Sequence, residues 1–164
     1  MGREVRRVPE TWEHPRDERD RYRPLFDRPF KREAEAWDDE NALWQQGKHP
    51  DQLKYTECAS MAFEDWSGTR PDSRDYMPDW PAAERTHYQM YENTSEGTPI
   101  SPVMDSPEAL ARWLVDNQAS AFGRQTASYE AWLRIAYGGF APSAVMVSGG
   151  PLMSGVEAMA SEPE

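Results

Sequence analysis

Residues 86 to 117, THYQMYENTSEGTPISPVMDSPEALARWLVDN, carry the pattern that decides the fold. The run 85 to 92 reads as a strand, because Thr and Tyr suit a pleated backbone. Thr86, Tyr88 and Met90 fall on one face, and His87, Gln89 and Tyr91 on the other. Large side chains on both faces predict cover on both sides. Residues 98 to 104, TPISPVM, form a second strand interrupted by Pro99 and Pro102, which belong on a sheet edge because proline has no N–H for the ladder. Between the two, NTSEG supplies turn residues, with Gly97 suited to a positive φ. A helix follows, with Ser106 as N-cap, Pro107 at its first position and Glu108 in its first turn, and with Leu110, Trp113 and Leu114 on one stripe.

Toward the C-terminus, ASYEAWLRIAYGG repeats this logic. Ser128, Glu130, Ala131 and Arg134 stand 22 positions after Ser106, Glu108, Ala109 and Arg112, which reads as shared capping chemistry rather than a true repeat. The two helices are expected to pack as a hairpin. SAVMVS then gives a short apolar strand through Val145 and Val147, Gly149 and Gly150 turn it toward LMSGVEAM, and residues 158 to 164 are expected to fray. The segment 85 to 157 therefore reads β-β-α-α-β.

Toward the N-terminus the signals weaken. REVRRV has strand character, but Val5 and Val8 would point to opposite faces. Residues 1 to 27 read as an extended Pro- and Arg-rich arm carrying Trp12, Tyr22 and Phe26, which wraps either its own domain or a neighbouring subunit. Residues 28 to 47 form an amphipathic helix: Asp27 is the expected N-cap, Gly47 the stop, and Phe30, Ala34, Trp37, Asn41 and Trp44 share one face. The opposite face carries Glu33, Asp38, Asp39 and Glu40. Residues 48 to 84 are Pro- and Asp-rich loop, with Tyr76 and Trp80 placed to seal a core edge. The expected architecture is α+β: a single domain built on a small mixed or antiparallel sheet, with an N-terminal arm and one long helix.

Composition limits the function. A chain of 164 residues with 38% hydrophobic content, seven Trp, seven Tyr and five Phe suits one folded domain with irregular segments. Residues 1 to 33 hold 10 basic and 8 acidic residues, a net of +2; residues 34 to 164 hold 8 and 21, a net of −13, which together give −11. So acidic a body repels phosphate backbones, which argues against direct nucleic-acid binding and allows a basic protein partner. Cys58 is alone, so no disulfide closes within the chain, as befits a reducing cytosol. There is no apolar run of membrane-spanning length and no signal-peptide pattern, so the expected location is cytoplasmic.

No motif names a reaction. His14, His49 and His87 are far apart, no second Cys or H-x-x-x-H suggests a metal, and no phosphate-binding glycine loop or nucleophile elbow occurs. The sequence thus leans away from an enzyme, a metal and a cofactor. The candidate site is the uncharged polar hairpin. Asn93, Thr94, Ser95, Thr98 and Ser101 offer short hydrogen-bonding groups, and Gly97 allows close approach. Tyr88 or Tyr91 could stack on a base, and Arg85 or Arg124 could supply positive charge.

The strings MGREVRRVP, DYMPDWP, THYQMYENTSEGTPISPV and LMSGVEA resemble a family of small proteins encoded by bacteriophages and prophages, across nearly the whole chain. The resemblance implies expression in an infected bacterium and supplies no catalytic residues. It favours a counter-defence factor that acts by stoichiometric binding. The first expectation is a homo-oligomer sequestering a small nucleotide-type signal. The alternative is an acidic inhibitor that mimics nucleic acid toward a host protein, through residues such as Asp38, Asp39, Glu40, Glu64 and Asp65. An enzyme that degrades a signal molecule is a third reading with no residue behind it.

Overall fold

A computed structural model of the chain describes residues 2–58, 60–93, 97–142, 144–146 and 152–160. It is α+β. Strands β1 (Arg3–Val8), β2 (His87–Glu92), β3 (Thr98–Pro99) and β4 (Phe140–Ala141) form an antiparallel sheet in the order β3-β2-β1-β4. Helices α1 (Phe30–Gln45), α2 (Pro50–Lys54) and α3 (Phe63–Ser67) lie between β1 and β2 in sequence; α4 (Pro107–Asp116) and α5 (Tyr129–Gly138) lie between β3 and β4. Strands β5 (Ala144–Met146) and β6 (Leu152–Ser154) pair as a separate ribbon that leads into α6 (Gly155–Ala160). The chain divides into two compact units: Met1–Leu25 with Trp80–Glu164, and Phe26–Asp79.

In the larger unit the strand of weakest sequence signal is central. β1 pairs with β2 along its whole length, from Arg3↔Glu92 to Val8↔His87, and with β4 through Arg3↔Ala141 and Glu4↔Phe140. Both sheet faces are covered, as the two-sided pattern of β2 predicts. On one face Met90, with Val5 and Tyr88 beside it, packs on Leu110 and Leu114 of α4, Trp132 and Ile135 of α5, and Val156 of α6. The two helices start as read: Ser106 Oγ accepts from Ala109 N and Ser128 Oγ from Ala131 N, each at 3.2 Å, and α4 packs along α5. β3 is shorter than expected. The expected strand 98 to 104 keeps only Thr98–Pro99 as a ladder plus an isolated bridge between Met104 and Tyr88, because the two prolines break the donor row.

The other face of the sheet is polar yet buried. Arg6 is almost fully buried: its Nη1 donates to the Leu25 carbonyl at 2.8 Å, its Nε to Glu4 Oε1 at 2.6 Å, and its guanidinium lies 4.3 Å from the centre of the Tyr91 ring. Gly97 makes this possible. Its φ is +95°, its carbonyl accepts from Leu25 N at 3.0 Å, and a Cβ there would stand 2.4 Å from Arg6 Nη2 and 3.1 Å from the Glu92 carbonyl. Gly97→Ala is therefore expected to cost about 2 kcal/mol, combining left-handed strain with displacement of Arg6. An unchanged urea midpoint would disprove that account.

The arm is a hairpin more than an extended segment. Arg16 and Tyr22 form an antiparallel bridge, Asp17 N donates to the Arg21 carbonyl at 2.8 Å, and Arg23 N to the Pro15 carbonyl at 3.0 Å. Asp17 Oδ1 accepts from the N–H groups of Arg19 and Arg21, each at 2.9 Å, and Asp20 takes φ +59° to close the turn. Trp12 and Tyr22 rest on their own unit: Trp12 meets Trp80 edge to face at 4.7 Å, and Tyr22 meets His14 at 5.5 Å.

The smaller unit is organised by α1, whose Trp44 packs with Cys58 and Phe63, and with Trp37 beside them. The helix begins at Phe30 with Pro29 as N-cap and no side-chain cap. Asp27 therefore does not fill the capping role the sequence suggests; the fixed φ of Pro29 starts the helix instead. Gly47 at φ +66° ends it, as expected. The stretch read as loop contains α2, α3 and two single 3₁₀ turns, all too short to show periodicity in sequence. The Val147 end of the expected last strand and the turn at Gly149 and Gly150 lie outside the described residues, as do residues 161–164 of the tail expected to fray, whereas its residues 158–160 are the last turn of α6.

Candidate functional site

The polar residues after β2 are used largely by the fold itself. Asn93 Nδ2 donates to Glu4 Oε2 at 3.0 Å, and Thr98 Oγ1 to Glu92 Oε1 at 3.0 Å. Ser101 Oγ accepts from Met90 N and donates to the Pro102 carbonyl, both at 2.9 Å, so the Met90 N–H finds its acceptor in a side chain where the regular ladder has ended. Gly97 is buried under Arg6. Tyr88 is half-buried at the α4–α5 core, with the Arg7 guanidinium 4.2 Å from its ring centre. Arg85 is exposed and gives its carbonyl to Arg7; Arg124 is exposed in the turn between Phe122 and Gln125. Thr94 and Ser95 lie outside the described residues. Asn93, Gly97, Thr98 and Ser101 thus brace the sheet edge.

Tyr91 is different: it is fully buried, and the fold brings it to the arm. Its hydroxyl accepts from Trp12 Nε1 at 3.2 Å, and its one proton lies between two acceptors, Gln89 Oε1 at 2.8 Å and His14 Nδ1 at 3.1 Å. The Gln89 amide donates to the Ser101 carbonyl at 2.9 Å and keeps a second amide hydrogen. His14 Nε2 stands 2.6 Å from the Arg23 carbonyl, which only accepts, so this nitrogen carries the proton. Beside this network lies a cleft of about 520 Å³. Trp12, His14 and Tyr22 give it aromatic walls, Glu13, Pro15 and Arg16 come from the same arm, and Gln89 and Val103 from the sheet side. The Arg16 guanidinium lies 4.0 Å from the Tyr22 ring centre, at one side of the opening. We found no family model, curated protein or solved structure that matches the chain.

The cleft lining mixes aromatic and polar groups, with Glu13 and Arg16 of opposite charge, and Arg16 is held by the Asp20 carbonyl at 2.7 Å and its carboxylate at 3.6 Å. Arg6 lies behind Tyr91, and Arg16 lines the opening. Their charge also acts on His14. Burial lowers its pKa first, the Arg6 and Arg16 cations lower it further, and the Arg23 carbonyl opposes them in part. The folded protein thus binds a proton at His14 less readily than the unfolded chain does. His14 contributes stability that is complete above the unfolded pKa of about 6.5 and is lost as pH falls through the lowered folded value. The melting temperature of the native chain should therefore drop more steeply below about pH 6.5 than that of His14→Gln; parallel profiles would remove His14 from the account.

Sequence reasoning named Tyr91 but missed Trp12, His14, Tyr22 and Gln89 as its companions. The one available signal was the density of aromatics and arginines in TWEHPRDERDRYR, which reads as an arm until the strand that receives it is known. Among the described residues no group of three His, Cys, Asp or Glu side chains is placed to hold a metal ion, and no helix is long and apolar enough to cross a membrane.

Proposed function

We propose that the chain is a phage-encoded binder that sequesters a small nucleotide-type anion in the cleft beside Tyr91, and that it acts in the host cytoplasm as a counter-defence factor. The observation that carries this reading is an aromatic-walled cleft of about 520 Å³ with arginine at its edge, on a protein of net charge −11. A planar base suits the space between Trp12 and Tyr22, and the Gln89 amide offers an in-plane contact of the kind that distinguishes bases. Arg16 holds the Asp20 carbonyl through Nη1 at 2.7 Å and keeps further guanidinium N–H groups for a phosphate oxygen. Local positive charge offsets the repulsion of the acidic body.

Binding fits these residues better than turnover. The Nε2 proton of His14 is committed to the Arg23 carbonyl, and His14 Nδ1 faces the Tyr91 hydroxyl, whose single proton serves either Gln89 Oε1 or this nitrogen while its oxygen accepts from Trp12 Nε1. A general base needs a free position facing the reacting proton. Each chain presents one such cleft, so one ligand per cleft is the expected stoichiometry. The test is to recover the protein from infected cells, wash it, denature it and identify what is released by mass spectrometry. An intact nucleotide near one per chain, lost in Trp12→Ala while the fold is retained, supports the proposal. An altered nucleotide, or a host protein released with no small molecule, overturns it.

A further inference from the structure

The cleft beside Tyr91 holds two hydrogen-bonding groups that the fold does not use up. Glu13 lines it, is exposed, and has no hydrogen bond or ion pair among the described residues. Its neighbours in sequence are both anchored, Trp12 to the Tyr91 hydroxyl and His14 to the Arg23 carbonyl, so the backbone that carries Glu13 is held on either side. Gln89 lies on the sheet side at 5% exposure. Its Nε2 donates one hydrogen to the Ser101 carbonyl at 2.9 Å, which fixes the orientation of the amide, and its Oε1 faces the Tyr91 hydroxyl at 2.8 Å. The second hydrogen on Nε2 has no acceptor among the described residues. A buried donor left in that state is unfavourable, and an acceptor on a ligand would satisfy it.

An unpaired carboxylate is a poor lining for an anion site, because it repels the phosphate that Arg16 attracts, on a chain already at −11. It suits the cleft only if the uncharged part of the ligand brings donors to it. Among the common bases, guanine alone presents two adjacent N–H donors, N1–H and N2–H, beside an acceptor, O6. A carboxylate can take both donors on its two oxygens, as it takes the fork of an arginine, and the spare Gln89 hydrogen matches O6. Adenine reverses the order: its N1 lone pair would face a carboxylate oxygen. Cytosine and uracil each bring a single donor group to this edge.

We infer that the cleft selects guanine, with Glu13 as the specificity residue and Gln89 as the partner of O6. This rests on the reading of the cleft as a nucleotide site and adds the ligand class: a guanosine phosphate, with its base between Trp12 and Tyr22.

The experiment is titration calorimetry of the full chain with the 5′-monophosphates of guanosine, inosine, adenosine, cytidine and uridine. GMP is expected to bind roughly tenfold tighter than AMP, CMP or UMP, a ratio worth about 1.4 kcal/mol. IMP keeps O6 and N1–H but lacks the amino group at C2, so it should fall between GMP and AMP. Glu13→Gln keeps the size, offers one acceptor in place of two, and should bring the ratio of GMP to AMP affinity to within about twofold of one. Glu13 is exposed and without a bond among the described residues, so the variant should keep the native melting temperature and report on recognition alone. AMP binding as tightly as GMP, IMP binding as tightly as GMP, or an unchanged ratio in Glu13→Gln would each overturn the inference and leave the cleft reading intact. No binding by any of these nucleotides would overturn both.

Discussion

Arg6→Met will lower the unfolding free energy by about 3 kcal/mol, because it strips a buried, hydrogen-bonded charge from the centre of the sheet. The methionine keeps the aliphatic stem but leaves the Leu25 carbonyl without its donor at 2.8 Å, Glu4 with Asn93 as its remaining side-chain donor, and the Tyr91 ring without its cation. An isolated buried acceptor costs roughly 1 to 3 kcal/mol, and an orphaned carboxylate more. The double variant Glu4→Gln with Arg6→Met separates the two contributions. If the loss reflects a stranded carboxylate, the second change should recover about 1 kcal/mol of it. Urea melts followed by circular dichroism read both variants, and an Arg6→Met midpoint within error of the native chain would refute the argument.

Trp132→Ala should be costlier still, at about 4 kcal/mol, the range for emptying an aromatic site in a packed core. Trp132 is the largest of the fully buried side chains, in α5 against Met90, Leu110 and Leu114. Its indole Nε1 is the one buried side-chain nitrogen or oxygen without a hydrogen-bond partner among the described residues. Trp132→Phe therefore loses volume but also removes a donor whose burial is itself unfavourable, so it should cost less than about 1.5 kcal/mol. The gap between the two variants is the informative quantity. Equal losses would mean that the Nε1–H finds a partner in solution.

The parts of the fold legible in sequence are those whose causes are local. Ser106-Pro107-Glu108 and Ser128-Tyr129-Glu130 specify helix starts through groups three residues apart, and both helices begin where those groups place them. Gly47 and Gly97 mark positive φ without reference to anything distant. β1 was harder to read, because its burial comes from partners about 85 positions away: Arg6 is inside only because Glu4, Leu25 and Tyr91 surround its charge. The same reasoning explains the candidate site. Short hydroxyls near a turn suggest a ligand, but at a proline-broken edge they replace missing ladder bonds, as Ser101 does. The cleft depends on Trp12 and His14 meeting Tyr91 across 79 and 77 positions, a meeting that no periodicity encodes.

The central position of β1 has a consequence for the order of events during synthesis. Its partners on either side, β2 and β4, leave the ribosome only after some 80 and 130 further residues, so this charged strand spends most of translation with its backbone unpaired. Four charged residues, Arg3, Glu4, Arg6 and Arg7, among its six suit that interval, since an exposed apolar strand would invite pairing with another nascent chain. The intervening residues 26–79 form their own compact unit and can condense in the meantime. Closure of the sheet then waits on long-range encounters, which makes it the slow step of maturation and the stage at which a chaperone would have most effect.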